Sequence, residues 1–298
     1  MKSVRVDKWS SRHSIDLSGK TVAITGSTGG IGRELCRLLL KAGASLVMLD
    51  RSPERSAVLR ETLKTEFPNA IFRYIRVSLD DMESVQAACE YLKHLPVDIL
   101  IHNAGAYSIP RYTTPEGYDN VFQINTIAPY YMTKALLPQL RQRGGRVIFV
   151  GSIAHRYSKS NPADIDFSTC RKASLVYGNA KRYSMFSLYE LFREETQVTL
   201  SVCHPGITLT NITAHYPKWI FALIKYPMKV IFMSPRKAAL SILQGCAEPC
   251  GYHEWIGPWL FDVWGIPKKR ALHSCTAEEC RDIYQAMERR IKEPLNNR

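Results

Sequence analysis

A glycine-rich turn between a strand and a helix constrains the fold of this chain more than any other segment. Residues 20–25 have the apolar pattern of a strand, and residues 31–42 have the periodicity of a helix. Residues 25–32 join them with the sequence Thr-Gly-Ser-Thr-Gly-Gly-Ile-Gly. Small residues let a backbone turn sharply and approach a pyrophosphate, whose charge a helix N-terminus favours. The segment predicts a dinucleotide cradle, although a glycine cluster alone also fits an ordinary strand-to-helix turn.

Strand patterns alternate with helical patterns along most of the chain. After the first unit, strands are predicted at 45–50, 71–77, 97–102, 146–150 and 198–203. Helices are predicted at 53–66, 82–92, 116–142, 175–195, 238–246 and 276–292. This alternation is typical of βαβ units, so we predict an α/β fold with a doubly wound parallel sheet and helices on both faces. Ligands of such sheets bind beyond the carboxyl ends of the strands.

Composition narrows the class of protein. The chain has 298 residues without a linker-like segment, so we predict a single domain at 1–298, with a core at about 18–210 and a lid and extension at about 211–298. The eight cysteines lack the CxxC spacing of a zinc site, and no metal is predicted. The net charge of +13 comes from dispersed basic residues, so no nucleic-acid partner is predicted. The first residues lack the apolar run of a signal peptide, and we expect a cytoplasmic protein.

The end of the second predicted strand bears on the choice of dinucleotide. Asp50 lies there, where a carboxylate can accept hydrogen bonds from adenosine ribose hydroxyls and repel a 2′-phosphate. This position favours NAD. Arg51 follows, and a guanidinium can pair with that phosphate, so NADP stays open. A solvated strand end is the alternative interpretation of both residues.

Tyr177 and Lys181 are one helical turn apart, so their side chains face the same direction. A nearby ammonium, together with the positive charge of an oxidised nicotinamide, stabilises a phenolate and lowers the phenol pKa from about 10. Tyr177 can then exchange a proton with an alcohol or carbonyl oxygen. Ser152 ends the fifth predicted strand, where its hydroxyl can hydrogen-bond the same oxygen. Together with the cradle, these residues predict hydride transfer between a nicotinamide cofactor and an alcohol or carbonyl compound.

With these motifs the chain resembles the short-chain dehydrogenase/reductase family, whose members combine a TGxxxGxG turn, an NAG segment, an Asn-Ser-Tyr-Lys tetrad and a Pro-Gly loop. The match covers about residues 20–210, with the motifs in the family's order. The resemblance implies a Rossmann-type fold and an NAD(P)-dependent enzyme. It also implies that Asn125 holds a water linked to Lys181. The implied catalytic residues are Asn125, Ser152, Tyr177 and Lys181.

The resemblance also implies the cofactor-binding residues. Asn103 to Gly105 pass under the cofactor, and the Pro205-Gly206 loop approaches the nicotinamide end together with Thr210. Ser78 stands where the family often has Asp, so a hydroxyl replaces a carboxylate near the adenine. The full set is Gly26, Ser27, Gly30, Ile31, Gly32, Asp50, Arg51, Ser78, Leu79, Asn103, Ala104, Gly105, Tyr177, Lys181, Pro205, Gly206 and Thr210.

The segment between Ser152 and Tyr177 is longer than in many family members. It contains Ala154-His155 and an Asp-Ile-Asp-Phe stretch at 164–167, and it resembles the retinol dehydrogenase and WW-domain oxidoreductase-like branch. That branch acts on lipophilic alcohols and aldehydes, so the implied partner is a small lipophilic alcohol or carbonyl compound. His155 could be a second acid, but a structural role in the loop is favoured.

Residues 218–233 are apolar but are interrupted by lysines and Pro227, so no transmembrane segment is predicted. We favour a lid over the substrate pocket, because the segment directly follows the cofactor loop. A peripheral contact with a membrane surface is the alternative. The family expectation for assembly is a homodimer or homotetramer.

Two other functions compete with an oxidoreductase. A regulator that senses the dinucleotide would keep the cradle but perform no chemistry, and it would not require Tyr177, Lys181 and Ser152 together. A lyase or epimerase would use the same nucleotide, but such relatives usually have a different glycine spacing and a larger C-terminal domain. The oxidoreductase is therefore the leading prediction.

Overall fold

An eight-stranded sheet forms the centre of the protein in the computed structural model, which describes residue 9, residues 13–208 and residues 232–292. The strand order is β3-β2-β1-β4-β5-β6-β7-β8. The first seven strands are parallel, and β8 pairs antiparallel with β7. The strands are β1 (Thr21–Thr25), β2 (Ser45–Asp50), β3 (Phe72–Arg76), β4 (Ile99–His102), β5 (Arg146–Val150), β6 (Thr199–Cys203), β7 (Glu254–Leu260) and β8 (Trp264–Ala271).

Helices cover both faces of the sheet, and each face has its own apolar core. The helices α1, α2 and α6 contribute to one core, while α3, α4, α5 and α7 contribute to the other. No helix among the described residues has the length and apolar character needed to cross a bilayer. The helices are α1 (Gly30–Lys41), α2 (Pro53–Glu66), α3 (Met82–Lys93), α4 (Ala128–Gln142), α5 (Ala173–Leu191), α6 (Pro235–Ala247) and α7 (Ala277–Lys292).

The predicted α/β fold with a doubly wound parallel sheet is confirmed. The helix predicted at 116–142 begins later, because Thr113 and Asp119 form an isolated antiparallel bridge. The Asp119 carboxylate then accepts hydrogen bonds from Val121 N at 3.0 Å and Phe122 N at 3.2 Å, which caps the helical stretch. A π-helical turn, Gln123–Ile127, interrupts the stretch before α4. Such turns often mark functional sites, and this one contains Asn125.

The strands β7 and β8 were not predicted from the sequence. Pro267 lies in the edge strand β8, where a missing backbone donor is tolerated. Pro258 lies opposite it, beyond Trp255 and Ile256, through which β7 pairs with β6. Four consecutive residues of β7 are buried, so the alternation of polar and apolar residues that identifies a strand is absent. The C-terminal region thus extends the sheet.

Three histidines are buried in neutral form near the carboxyl ends of the strands. Burial lowers the pKa of His102 and His204 to about 3 and that of His155 to about 4. His204 is 2% exposed, and its ring stacks on Trp255 with 5.2 Å between the ring centroids. An imidazole with this pKa resists protonation in the folded state, whereas the unfolded chain takes up protons below pH 6.5.

We therefore expect the free energy of unfolding to fall as the pH is lowered from about 6.5 to about 4. In this window the unfolded state binds more protons than the folded state, so each histidine removes up to about 1.4 kcal/mol per pH unit. Urea unfolding at several pH values measures the slope. His102→Gln should reduce the slope, whereas substitution of the exposed His273 by Gln should leave it unchanged; equal slopes for the parent and His102→Gln would contradict the assignment.

Candidate active site

A cavity of about 750 Å³ lies at the carboxyl ends of β1, β2, β4, β5 and β6. Most of the residues predicted for the cofactor and for catalysis line it. These are Gly26, Gly30, Ile31, Gly32, Asp50, Arg51, Leu79, Asn103, Ala104, Gly105, Ser152, Tyr177, Lys181, Pro205 and Gly206. Ser27, Ser78 and Asn125 do not line the cavity, and Thr210 lies outside the described residues, as do residues 218–231 of the proposed lid.

The glycine turn packs tightly against the segment after β4. Gly26 has φ +67°, and a Cβ atom there would lie 2.8 Å from Ala104 Cα. A Cβ atom on Gly32 would lie 2.2 Å from the Gly26 carbonyl oxygen. Asn103 Nδ2 donates to the carbonyl oxygens of Thr25 at 3.1 Å and Gly26 at 2.9 Å. The turn is thus shaped by close backbone contacts, and it leaves a cradle at the N-terminus of α1 that fits a pyrophosphate.

The adenosine end of the cavity is bounded by Asp50, which is 3% exposed. Its Oδ1 atom accepts from Thr28 N and from Thr28 Oγ1, both at 3.1 Å, and its Oδ2 atom accepts from Ser27 Oγ. The carboxylate therefore holds the glycine turn from within the protein. Ser27 acts on the cofactor site through Asp50, because its hydroxyl points to that carboxylate.

Two arginines also line this end. Arg51 Nη1 lies 3.8 Å from Asp80 Oδ2, and 75% of the Arg51 side chain is exposed. Arg55 was not predicted as a site residue, but it lines the cavity and its Nη2 donates to the Thr28 carbonyl at 3.2 Å. Ser78 Oγ donates to Asp80 Oδ1, so Ser78 holds Asp80 in place. Leu79 lines the cavity with an apolar side chain.

At the other end of the cavity, Tyr177 in α5 lies beside Ser152 at the end of β5. Burial raises the pKa of Tyr177 to about 12, while a hydrogen bond with Ser152 lowers it. The sequence-based expectation of a lowered phenol pKa includes the positive charge of an oxidised nicotinamide, so it stays a prediction. In the protein alone, desolvation disfavours the phenolate and outweighs the hydrogen bond. Tyr177 is therefore protonated at neutral pH.

Lys181 is 2% exposed and follows Tyr177 by one turn of α5. Its Nζ donates to the Val150 carbonyl at 2.9 Å and lies 5.7 Å from the centre of the Tyr177 ring. Burial lowers the pKa of Lys181 to about 7. Two residues one turn apart thus have pKa values moved in opposite directions, both toward the neutral form, which is typical of a site that transfers protons.

Asn125 lies behind this pair. Its Nδ2 donates to the Ala106 carbonyl at 2.9 Å and the Val121 carbonyl at 2.8 Å, and its Oδ1 accepts from Ala106 N at 3.3 Å. A Cβ atom on Gly105 would lie 2.9 Å from Asn125 Oδ1 and 3.6 Å from Lys181 Nζ. Asn125 therefore holds the NAG segment next to Lys181, and its role in a water relay stays a prediction.

The substrate end includes two aromatic residues that the sequence analysis did not select. The Tyr107 ring meets the Tyr177 ring edge-on with 5.2 Å between centroids, and Tyr157 is 52% exposed. Both line the cavity. Their positions in the sequence could have indicated them as site residues. Tyr107 follows the NAG segment by two residues, and Tyr157 lies in the turn after Ser152.

The chain is similar to known oxidoreductases. The family model for short chain dehydrogenases matches residues 20–220. An uncharacterized oxidoreductase of Schizosaccharomyces pombe is 30% identical, with 81% of this chain and 76% of the relative covered. Human retinol dehydrogenase 14 is 30% identical, with 78% of this chain and 75% of the relative covered.

A solved structure shares the fold. L-sorbose reductase from Gluconobacter frateurii, in complex with NADPH and L-sorbose, superposes with a TM-score of 0.61 at 23% identity, covering 78% of this chain and 91% of that one. The family match indicates an oxidoreductase, and the geometry of the cavity fits that class of enzyme. This chain therefore belongs to the short-chain dehydrogenase/reductase family, in its retinol dehydrogenase-like branch, and is an NAD(P)-dependent oxidoreductase.

Proposed function

We propose that this chain reduces lipophilic aldehydes or ketones, and oxidises the matching alcohols, with NADP(H) as cofactor and Tyr177 as the general acid and base. The observation that carries the proposal is the placement of Tyr177 and Ser152 at one end of a cavity whose other end is the glycine cradle. When bound, the reduced nicotinamide supplies a hydride to the carbonyl carbon. The residues of the chain then bind the substrate, orient it and move the proton.

The protonation state of Tyr177 supports reduction. A phenol with a pKa of about 12 carries its proton at neutral pH, and the carbonyl oxygen needs that proton as it becomes an alkoxide. The Ser152 hydroxyl can hydrogen-bond the same oxygen while negative charge develops on it. Lys181, with a pKa of about 7, can return a proton to the site from the inner side of α5. Oxidation reverses these steps, so Tyr177 must first give up its own proton before it can accept the proton of the alcohol.

The side chains around Tyr177 support a lipophilic substrate. Aliphatic and aromatic residues dominate this end of the cavity, and Tyr107 and Tyr157 form its outer part. Such a wall binds apolar groups by excluding water, and few polar groups then fix the reacting oxygen. The aliphatic and aromatic residues are Ala106, Tyr107, Ile109, Ile153, Tyr157 and Ile207.

The adenosine end supports NADP(H), although the sequence favoured NAD because of Asp50. Asp50 already accepts three hydrogen bonds from Ser27 and Thr28, which leaves about one of its four acceptor sites for a ribose hydroxyl. Arg51 and Arg55 line the same end, and guanidinium groups match the geometry of a 2′-phosphate. The cytoplasmic location and the homo-oligomer expected from the sequence stay predictions.

Tyr177→Phe should retain cofactor affinity within about twofold and lose at least about a hundredfold in kcat, because it removes the acidic proton and leaves the ring in place. Aldehyde-dependent loss of NADPH absorbance measures turnover, and fluorescence titration measures cofactor affinity. Tyr91→Phe, at an exposed position of α3, is the matched control. Equal turnover by Tyr177→Phe and the parent would remove Tyr177 from the mechanism, and cofactor binding by a parent that turns over no substrate would favour the dinucleotide sensor.

Arg55→Ala and Arg51→Ala should each weaken NADPH binding by about tenfold, which corresponds to about 1.4 kcal/mol, and leave NADH binding nearly unchanged. The reason is that the 2′-phosphate is the cofactor group that a guanidinium would contact. Arg55 also donates to the Thr28 carbonyl, so Arg51→Ala, at a side chain that is 75% exposed, is the cleaner of the two tests. Fluorescence titration of both cofactors gives the ratio of dissociation constants, with Lys64→Ala at an exposed position of α2 as control. A parent that binds NADH more tightly than NADPH would restore the preference for NAD.

A further inference from the structure

His155 lies directly behind Ser152 and contacts it through the backbone. The residue is fully buried, and its Nδ1 atom lies 2.6 Å from the Ser152 carbonyl oxygen. Its Nε2 atom lies 2.7 Å from Ser274 Oγ, in the segment that leads into α7. One imidazole ring thus joins the predicted catalytic serine to the C-terminal region.

The partners of His155 determine which nitrogen carries the proton. A carbonyl oxygen only accepts hydrogen bonds, so Nδ1 must carry the hydrogen that it donates to Ser152. In the neutral ring Nε2 then has the lone pair, and it accepts the hydrogen of the Ser274 hydroxyl. Burial keeps the ring neutral, since it lowers the pKa of His155 to about 4. The Ser152 carbonyl therefore selects the Nδ1–H tautomer, and the Ser274 hydroxyl, which can donate or accept, complements it by donating to Nε2.

Ser274 is itself held by a buried arginine. Arg182 follows Lys181 in α5 and is 5% exposed. Its Nη2 donates to the Ser274 carbonyl at 2.9 Å, and its Nη1 donates to the His155 carbonyl at 3.2 Å. The guanidinium also forms a two-pronged ion pair with Glu279 in α7, at 2.8 Å from Nε and 2.6 Å from Nη2. This arrangement satisfies a charge that would otherwise be costly to bury.

Aromatic neighbours fix the plane of the imidazole. The Phe186 ring meets it edge-on at 5.8 Å, and the Trp255 ring meets it edge-on at 5.6 Å, measured between centroids. Phe186 belongs to α5 and Trp255 belongs to β7. The ring therefore has little freedom to turn away from Ser152, because Phe186, Trp255 and Ser274 contact it from three different parts of the fold.

We propose that His155 is a positioning residue for the reaction, that it holds Ser152 in place through the Ser152 carbonyl, and that Ser274 supports the ring by donating to Nε2. This inference rests on the proposed function, in which Ser152 hydrogen-bonds the reacting oxygen. Ser274 and Glu279 lie beyond residues 20–220, which the family model matches. The C-terminal segment of this chain thus supports a catalytic serine from outside the part that defines the family.

The local geometry explains why this support matters. Ser152 begins a short 3-10 turn, Ile153–Arg156, and its carbonyl accepts from His155 N at a long 3.2 Å as well as from Nδ1. Its Oγ also accepts from Ala154 N at 3.2 Å. Loss of the short Nδ1 bond leaves Ser152 itself joined to the turn by the two longer bonds. A displacement of about 1 Å at a group that orients substrate can lower turnover by about a hundredfold.

The test uses His155→Leu and His155→Asn in the parent protein, and His155→Leu also in the Ser152→Ala variant. Leu removes the donor, whereas the Asn amide can still donate to the Ser152 carbonyl. NADPH oxidation is measured with the straight-chain aldehyde from hexanal to dodecanal that the parent reduces fastest. We expect His155→Leu to lower kcat by about 10- to 100-fold with KM changed less than about threefold, and we expect His155→Asn to recover most of the loss.

The double-mutant cycle separates positioning from a general structural role. In the Ser152→Ala background, His155→Leu should lower kcat by less than about twofold further, because the group it positions is already absent. An equal loss in both backgrounds would overturn the proposal. The matched control is His273→Asn, which alters an exposed histidine one residue before Ser274 and should leave kcat unchanged.

A second measurement does not depend on turnover. Nitrogen-15 NMR of the histidine side chains, with the His155 signal assigned by its loss in His155→Asn, should show the Nδ1–H tautomer in the parent and also in Ser274→Ala, because the Ser152 carbonyl only accepts hydrogen bonds. An Nε2–H tautomer in the parent would overturn the proposal. If the parent reduces no aldehyde, the proposed function fails, while the NMR result still supports or overturns the hydrogen-bond chain.

Discussion

The parallel pairing of β1 with β4 and of β4 with β5 is the constraint on which the site depends. It brings the carboxyl ends of these strands to one edge of the sheet, where the chain must turn each time into a helix or loop. The glycine turn after β1 and the NAG segment after β4 then meet at distances that leave no room for a Cβ atom. The cradle exists because two loops from neighbouring strands are packed backbone to backbone.

Burial is the second physical factor, and it acts on both partners of the proton-transfer pair. Desolvation raises the pKa of Tyr177 and lowers that of Lys181, so both groups are pushed toward their neutral forms. The lowered pKa expected for Tyr177 from the sequence depends on the positive charges of an ammonium and of an oxidised nicotinamide. In the structure the Lys181 ammonium donates to the Val150 carbonyl, and the protonated phenol is the form suited to carbonyl reduction.

The C-terminal region has a larger part in the architecture than the predicted lid and extension suggested. The strand β7 joins the sheet next to β6, and α7 packs on the same core as α5. The ion pair between Arg182 and Glu279 ties these helices together beside the active site. Support for α5 therefore comes partly from residues far away in the sequence, which is typical of a domain that has a single continuous sheet.

The sequence by itself determined the order of strands and helices up to β6, the glycine cradle and the pairing of Tyr177 with Lys181, because these follow from local periodicity and from spacing on one helix. It did not determine β7 and β8, whose burial and prolines hide the strand pattern. Only the tertiary structure decided that Asp50 holds the glycine turn, that Arg55 lines the adenosine end and that His155 joins Ser152 to Ser274. The physical reason is that these hydrogen bonds and contacts join residues from different loops, and no local pattern records where a fold brings two loops together.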